Sequence, residues 1–267
     1  MSEPASDDAV RRYAPLYPEV VGSGSLVNAL QAVADRVGYA LTVELTSSPG
    51  WRRVAAQVSF EDRSATVLMA RHERSFSVDC WAGGVHMATG LSSDLSEIAG
   101  ALHAWLRVPR VRELVAQWPF LRTWELAEAY ECGETVSVRW RQLREAAERR
   151  QDAALRAFVE TAFAHPRLRV LSPGRSMHWV TFSRRAAPPI CHDLPRVMAI
   201  GEDRFRVRFA DGRLQDVHGA TEAVAVIVER LPDDAVPRAF VRGPDHAFVF
   251  LRRRPQISEQ AGEPKAA

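Results

Sequence analysis

The chain has 267 residues, 46% of them hydrophobic and 25% charged, and its 35 basic and 33 acidic side chains leave a net charge of +2. That length holds one large or two modest domains, and the composition is that of a folded globular protein rather than a disordered one. So small a net charge excludes the field of a dedicated nucleic-acid binder.

The three cysteines, Cys80, Cys132 and Cys191, are odd in number and far apart, which fits neither a disulfide framework nor a paired-cysteine zinc site. The acidic, polar beginning lacks the apolar segment of a signal peptide. No apolar run approaches the ~18 residues of a membrane span. The expectation is a soluble cytoplasmic protein with no membrane and no nucleic-acid partner. Lys265 is the only lysine, and the arginines are interspersed with acidic residues rather than gathered into a stripe.

Residues 1–23, with three prolines and several charges, read as a partly ordered leader. Gly22-Ser23-Gly24-Ser25 then opens a helix in which Leu26, Leu30, Val33 and Val37 share one face, with Ser25 as N-cap and Gly38 as the stop. The GSGS run lacks the third glycine and the preceding strand of a nucleotide-binding loop. Strands follow in quick succession. Val54, Ala56, Val58 and Phe60 alternate with polar or small residues, as do Ala65, Val67 and Met69, then Phe76, Val78 and Cys80. Short connections at Glu61-Asp62-Arg63 and Ala82-Gly83-Gly84 predict an antiparallel meander. His86, out of phase with Val85 and Met87, reads as a solvated edge residue. Leu95, Ile98, Leu102 and Trp105 give the next helix the stripe needed to cover a sheet face.

From 109 to 166 the pattern is helical almost throughout, and this segment is expected to bridge two halves. Strands resume at 196–200 and 204–209, a turn at Asp211-Gly212 leads to 213–217, and a helix runs over 221–231. Here the chain resembles itself: Arg74 to Gly90 aligns with Asp203 to Gly219, pairing Phe76 with Phe205, Val78 with Val207, Gly83 with Gly212 and Gly90 with Gly219. Duplication, or convergence on a common strand-turn-strand-helix pattern, accounts for the match. Residues 239–251 predict a closing hairpin and 255–267 a disordered tail. The resulting fold class is α+β: two antiparallel sheet-plus-helix units over 24–108 and 167–254, joined by a helical middle.

The densest collection of chemical groups lies in SMHWVTFSRRAAPPICHD, residues 176–193. Were 177–183 a strand, His178, Val180 and Phe182 would share one face, with Met177, Trp179 and Thr181 on the other. His178 and Arg184 would then stand about 20 Å apart, too far to grip one small substrate. A Cys191 nucleophile needs a histidine within reach; adjacent His192 points away from it in an extended segment, which leaves His178 by elimination. His178, His192 and Asp193 are metal-ligand types, but their spacing matches no recognised signature. No cofactor and no metal are expected. The candidate ligand-binding residues are therefore His178, Trp179, Arg184, His192 and Asp193. Trp81, Trp105, Trp118, Trp124 and Trp140 add large amphipathic surface, although Trp105 and Trp118 fall on helical stripes that read as core.

The block 26–143, with WRRVAAQVSFEDRSATVLMARHERSFSVDCW, HAWLRVPRVREL and WPFLRTWELAEAYECGE, resembles an uncharacterised actinobacterial family. HWVTFSR, the DLP at Asp193-Leu194-Pro195 and TEAVAVIVERLP resemble the same family's C-terminal half. Members are commonly labelled natural product biosynthesis proteins. The resemblance implies a setting in a specialised-metabolite pathway and supplies no catalytic residue. Related chains contain cysteine and tyrosine after the FSR, where this one has Arg185-Ala186-Ala187. The leading expectation is a non-catalytic binding or accessory protein that recognises a precursor peptide, a partner enzyme or a small-molecule ligand. A small enzyme with a pocket around His178, Arg184, His192 and Asp193 is the alternative, and a toxin-neutralising partner protein a further one.

Overall fold

The computed structural model describes residues 13–47, 53–108, 110–188 and 190–232. The expected hairpin over 239–251 and tail over 255–267 lie outside the described residues. Two antiparallel sheets of six and five strands are each accompanied by helices, which is the α+β architecture the pattern predicts.

The first unit begins with α1 (Pro18–Ser23) and α2 (Leu26–Val37). Ser25 caps α2 by accepting the Asn28 backbone N–H at 3.1 Å, and Gly38 ends it in the left-handed region at φ 80°, the start and stop that were legible in the residues. Residues 13–23 are bound into this unit by Tyr17. Its ring is buried, and its hydroxyl accepts the Ser75 N–H and lies against the carbonyls of Ala70, Glu73 and Ser75. Strands β1 (Val43–Glu44), β2 (Ala55–Phe60), β3 (Arg63–Met69), β4 (Phe76–Ala82), β5 (Val85–Ser92) and β6 (Leu121–Arg122) form a meander in which chain order is spatial order. The alternating residues Ala65, Val67, Met69, Phe76, Val78 and Cys80 point into one core. Helix α2 and α3 (Leu95–Trp105) pack on each other and on that sheet.

The helical middle is shared between the units. Helices α4 (Val111–Gln117) and α5 (Glu125–Cys132) contribute Val111, Leu114 and Ala127 to the first core. Helices α6 (Thr135–Arg149) and α7 (Ala153–Ala164) contribute Trp140, Leu143, Leu155, Phe158 and Val159 to a second. The change of core falls at Gly133, the left-handed cap of α5 (φ 75°). After the short α8 (Pro166–Arg169), strands β7 (Ser172–Ser176), β8 (Trp179–Ser183), β9 (Arg196–Ala199), β10 (Arg204–Arg208) and β11 (Leu214–His218) form the second meander, and α9 (Gly219–Glu229) closes the unit against α7 and β10. Phe182, Phe158, Phe205 and Trp140 meet in its centre at ring separations of 5.9 to 6.5 Å. Burial of each such ring stabilises the fold by about 1.5–3 kcal/mol.

The aligned blocks occupy equivalent places. Phe76 and Val78 on β4, like Phe205 and Val207 on β10, face their cores, and each strand leads through a hairpin to a covering helix. Gly83 and Gly212 both take positive φ in the hairpin turns, at 54° and 88°. The second arms differ in register: Val78 pairs with Gly90, whereas Val207 pairs with Gln215 and not with Gly219.

Candidate functional site

In both units the helices cover one face of the sheet and leave the other outward. On the second sheet the outward residues are Trp179 and Thr181 of β8, Arg196 and Met198 of β9, and Arg204, Arg206 and Arg208 of β10. Inward Phe205 and Val207 fix that phase. Arg206 is neutralised by Asp216 on β11 through two 2.7 Å contacts, and Arg206 holds the Asp216 carboxyl below the usual carboxylate range. The other two central arginines are arranged differently. Arg196 and Arg208 are directly opposite partners across β9 and β10, and neither has a carboxylate at ion-pair distance among the described residues. Like charges placed opposite each other in a sheet cost stability.

These two arginines line a cleft of about 210 Å³ with Thr181, His192, Leu194, Phe209 and Gly212. The Arg196 guanidinium lies over the Trp179 ring, 5.1 Å from its centroid, a cation–π contact beside the opening. Phe209 is flanked by Arg213 and Arg230 at 5.9 and 5.7 Å. Of these, Arg213 is already engaged by Asp211 at 2.6 Å, and the Arg213 backbone N–H and guanidinium hold the Asp211 carboxyl low. The cleft therefore presents positive charge, one hydroxyl and an aromatic wall.

The loop beside it is fastened at its base. Arg184, 9% exposed, pairs with Asp193, and the Ser183 hydroxyl accepts the backbone N–H groups of Arg185 at 3.0 Å and Cys191 at 3.2 Å. At its far side the loop reaches the first unit: a Cβ on Gly84, whose φ is +78°, would lie 3.5 Å from the Pro188 Cβ.

Among the residues the sequence singles out, the structure brings Arg184 and Asp193 together as a fastening, sets His192 in the lining of the cleft and places Trp179 against Arg196, which lines it. His178 is elsewhere. It occupies the two-residue turn with Met177 (φ 56°) between β7 and β8, exposed at the hairpin tip, while Val180 and Phe182 do share the inward face. Cys191 is bonded near Ser183 at the opposite end of β8, roughly 16 Å along the strand from that tip. His178 is thus no base for Cys191. No group of three or more histidine, cysteine or acidic side chains able to hold a metal occurs among the described residues.

Arg196 and Arg208 escaped the sequence reading because each is unremarkable on its own strand. Their signal lies in the register: the turn that bonds Ile200 N–H to the Arg204 carbonyl makes 196 and 208 partners. A larger groove of about 560 Å³ beside Trp140 is less suited to a ligand. Its Arg141 and Arg144 are paired with Glu125 and Glu160, and the Trp140 indole N–H is bonded to the carbonyls of Arg169 and Leu171.

Residues 134–241 match a family of unknown function, DUF6193. The match starts at the residue after Gly133, where the core changes, and includes α6 to α9, the second sheet and every residue of the cleft. Comparison with curated proteins and with solved structures gives no match. No helix among the described residues is long and apolar enough to cross a membrane.

Proposed function

We propose that this chain is a non-catalytic binding or accessory protein whose second unit captures an anionic group, a carboxylate or phosphate, of a peptide or metabolite. The observation that carries the reading is the facing pair Arg196 and Arg208 in the cleft. Two guanidiniums held opposite each other, with no carboxylate at ion-pair distance among the described residues, are a standing electrostatic cost that an anion relieves. His192 and Thr181 add donors at the same opening, and Phe209 gives an apolar wall for whatever carries the anion.

The size of the cleft narrows the ligand. About 210 Å³ is below the range that encloses a whole drug-sized molecule. It suits one acidic side chain or terminus of a larger partner, in keeping with recognition of a precursor peptide or a partner enzyme. A place in a specialised-metabolite pathway is supported by the family resemblance in the sequence.

Thermal unfolding in the presence of inorganic phosphate, or of an acetylated glutamate-rich peptide, tests this. Tm rises with ligand concentration by mass action if the native state binds it. The shift disappears in Arg208→Ala and in Arg196→Ala. No shift with either probe, or an equal shift in both variants, overturns the reading.

A further inference from the structure

The position on β4 equivalent to Arg208 is Asp79. Both stand one residue beyond the inward valines, Val78 and Val207, and both point away from the covering helices. Around Asp79 the chemistry is inverted. A β-bulge between Cys80 and Trp81 sets Trp81 opposite His86, and bulges of this kind re-aim side chains. The His86 ring is stacked on Trp81 at 4.4 Å and meets Trp124 edge-on at 4.7 Å, while its Nε2 is 3.0 Å from Asp79 Oδ1. Trp124 is brought there from the start of α5, with the neighbouring Thr123 hydroxyl donating to the Met87 carbonyl at 2.8 Å.

The sequence placed His86 as a solvated edge residue. It is instead half-buried on an interior strand, between β4 and β6, in a box of two indoles and a carboxylate. Asp79 is charged: burial alone would raise it, but hydrogen bonds from His86 and Thr89 outweigh that and hold it below the usual carboxylate range. In a chain this rich in arginine, the partner of this carboxylate is an imidazole and not a guanidinium. Indole faces beside a carboxylate are what a guanidinium or alkylammonium seeks. The pair is also about a third exposed, 31% for His86 and 33% for Asp79, so a ligand can reach it.

We propose that the outward face of the first sheet carries a second binding site, for an organic cation, in which Asp79, Trp81 and Trp124 hold the ligand and His86 is the chain's own occupant. An incoming guanidinium or alkylammonium takes the place of the imidazole between the rings and pairs with Asp79. This site is independent of the anion cleft. A protein with both recognises opposite charges on its two sheets, as a peptide with basic and acidic side chains presents.

The test is titration of the full-length chain with N-acetyl-arginine amide and with choline, read by indole fluorescence. N-acetyl-citrulline amide is the uncharged control. Saturable change with either cation and none with the control supports the site, and the preferred probe assigns it to a peptide side chain or to a small quaternary amine. Asp79→Asn weakens binding roughly tenfold or more, since a charged hydrogen bond is lost. His86→Ala strengthens it by removing the competitor, and Arg208→Ala leaves it unchanged. Near-ultraviolet circular dichroism checks the fold of each variant; if His86→Ala does not fold, Trp124→Ala replaces it and weakens binding, because it removes a ring that holds the ligand. No saturation in either the wild type or the His86 variant overturns the proposal, as does binding unaffected by Asp79→Asn.

Discussion

Arg196 and Arg208 face each other as direct cross-strand partners on β9 and β10, and the Trp179 ring lies under the first of them. In the absence of ligand this arrangement opposes folding. Removing one charge, as in Arg208→Gln, is expected to raise the stability of the free protein by about 0.2–1 kcal/mol, although most substitutions lower it. Urea denaturation at low salt measures the gain, and 0.5 M salt should erase most of it by screening. A loss of stability in Arg208→Gln would show that the arginine contributes more through its stem than it costs through its charge.

Arg184 and Asp193 make the opposite case, a pair whose guanidinium is nearly buried and whose carboxylate is 44% exposed. Asp193→Ala withdraws that carboxylate and is expected to destabilise by about 1–3 kcal/mol. Asp193→Asn keeps an acceptor and should cost less. Added salt changes little, because the buried member is screened poorly. The loop that sets His192 beside the cleft should also become more susceptible to proteolysis. Equal stability of wild type and Asp193→Ala at low salt would count against this fastening.

Much of the fold was legible because its signals are local. The Ser25 and Gly38 caps, the alternation through β2 to β4 and the stripe of α3 each follow from a few adjacent residues. Strand β7 was not legible, since SPGRS contains proline and glycine; it survives as a strand because it is an edge, where a missing donor is tolerated. The site was legible only in part. His192 and Trp179 stood out by residue type, and the distance between His178 and the base of the loop followed from strand arithmetic. Arg196, Arg208 and the box around His86 depend on cross-strand register and on a bulge, which join residues 5 to 12 positions apart or, for Trp124, in another segment. A one-residue slip would have turned each to the other face.

Gly100, in the middle of α3, has the Trp118 indole against it: a Cβ built there would stand 2.7 Å from its Cζ2. Two effects compete in Gly100→Ala. Helix propensity favours alanine by about 1 kcal/mol, but overlap with a ring that cannot move freely costs about 1–3 kcal/mol. Net destabilisation is expected. In a double-mutant cycle with Trp118→Leu the combined cost should be less than the sum, because the smaller side chain vacates the space. Additivity within about 0.5 kcal/mol would mean that the indole is not what the new methyl meets.

Asp79 gives the fold a pH dependence whose sign follows from its surroundings. Its carboxyl is held below the usual range by His86 and Thr89 against the effect of burial. A carboxyl lowered in the folded state contributes stability above its unfolded value, near pH 4, and loses that contribution as pH falls through the folded value. Asp79→Asn should therefore be less stable than the wild type at pH 6, with the gap closing towards pH 3. Thermal unfolding of the two proteins across that interval measures it. A gap of constant size would place the effect of the substitution in packing against Trp81 and Trp124 rather than in the charge.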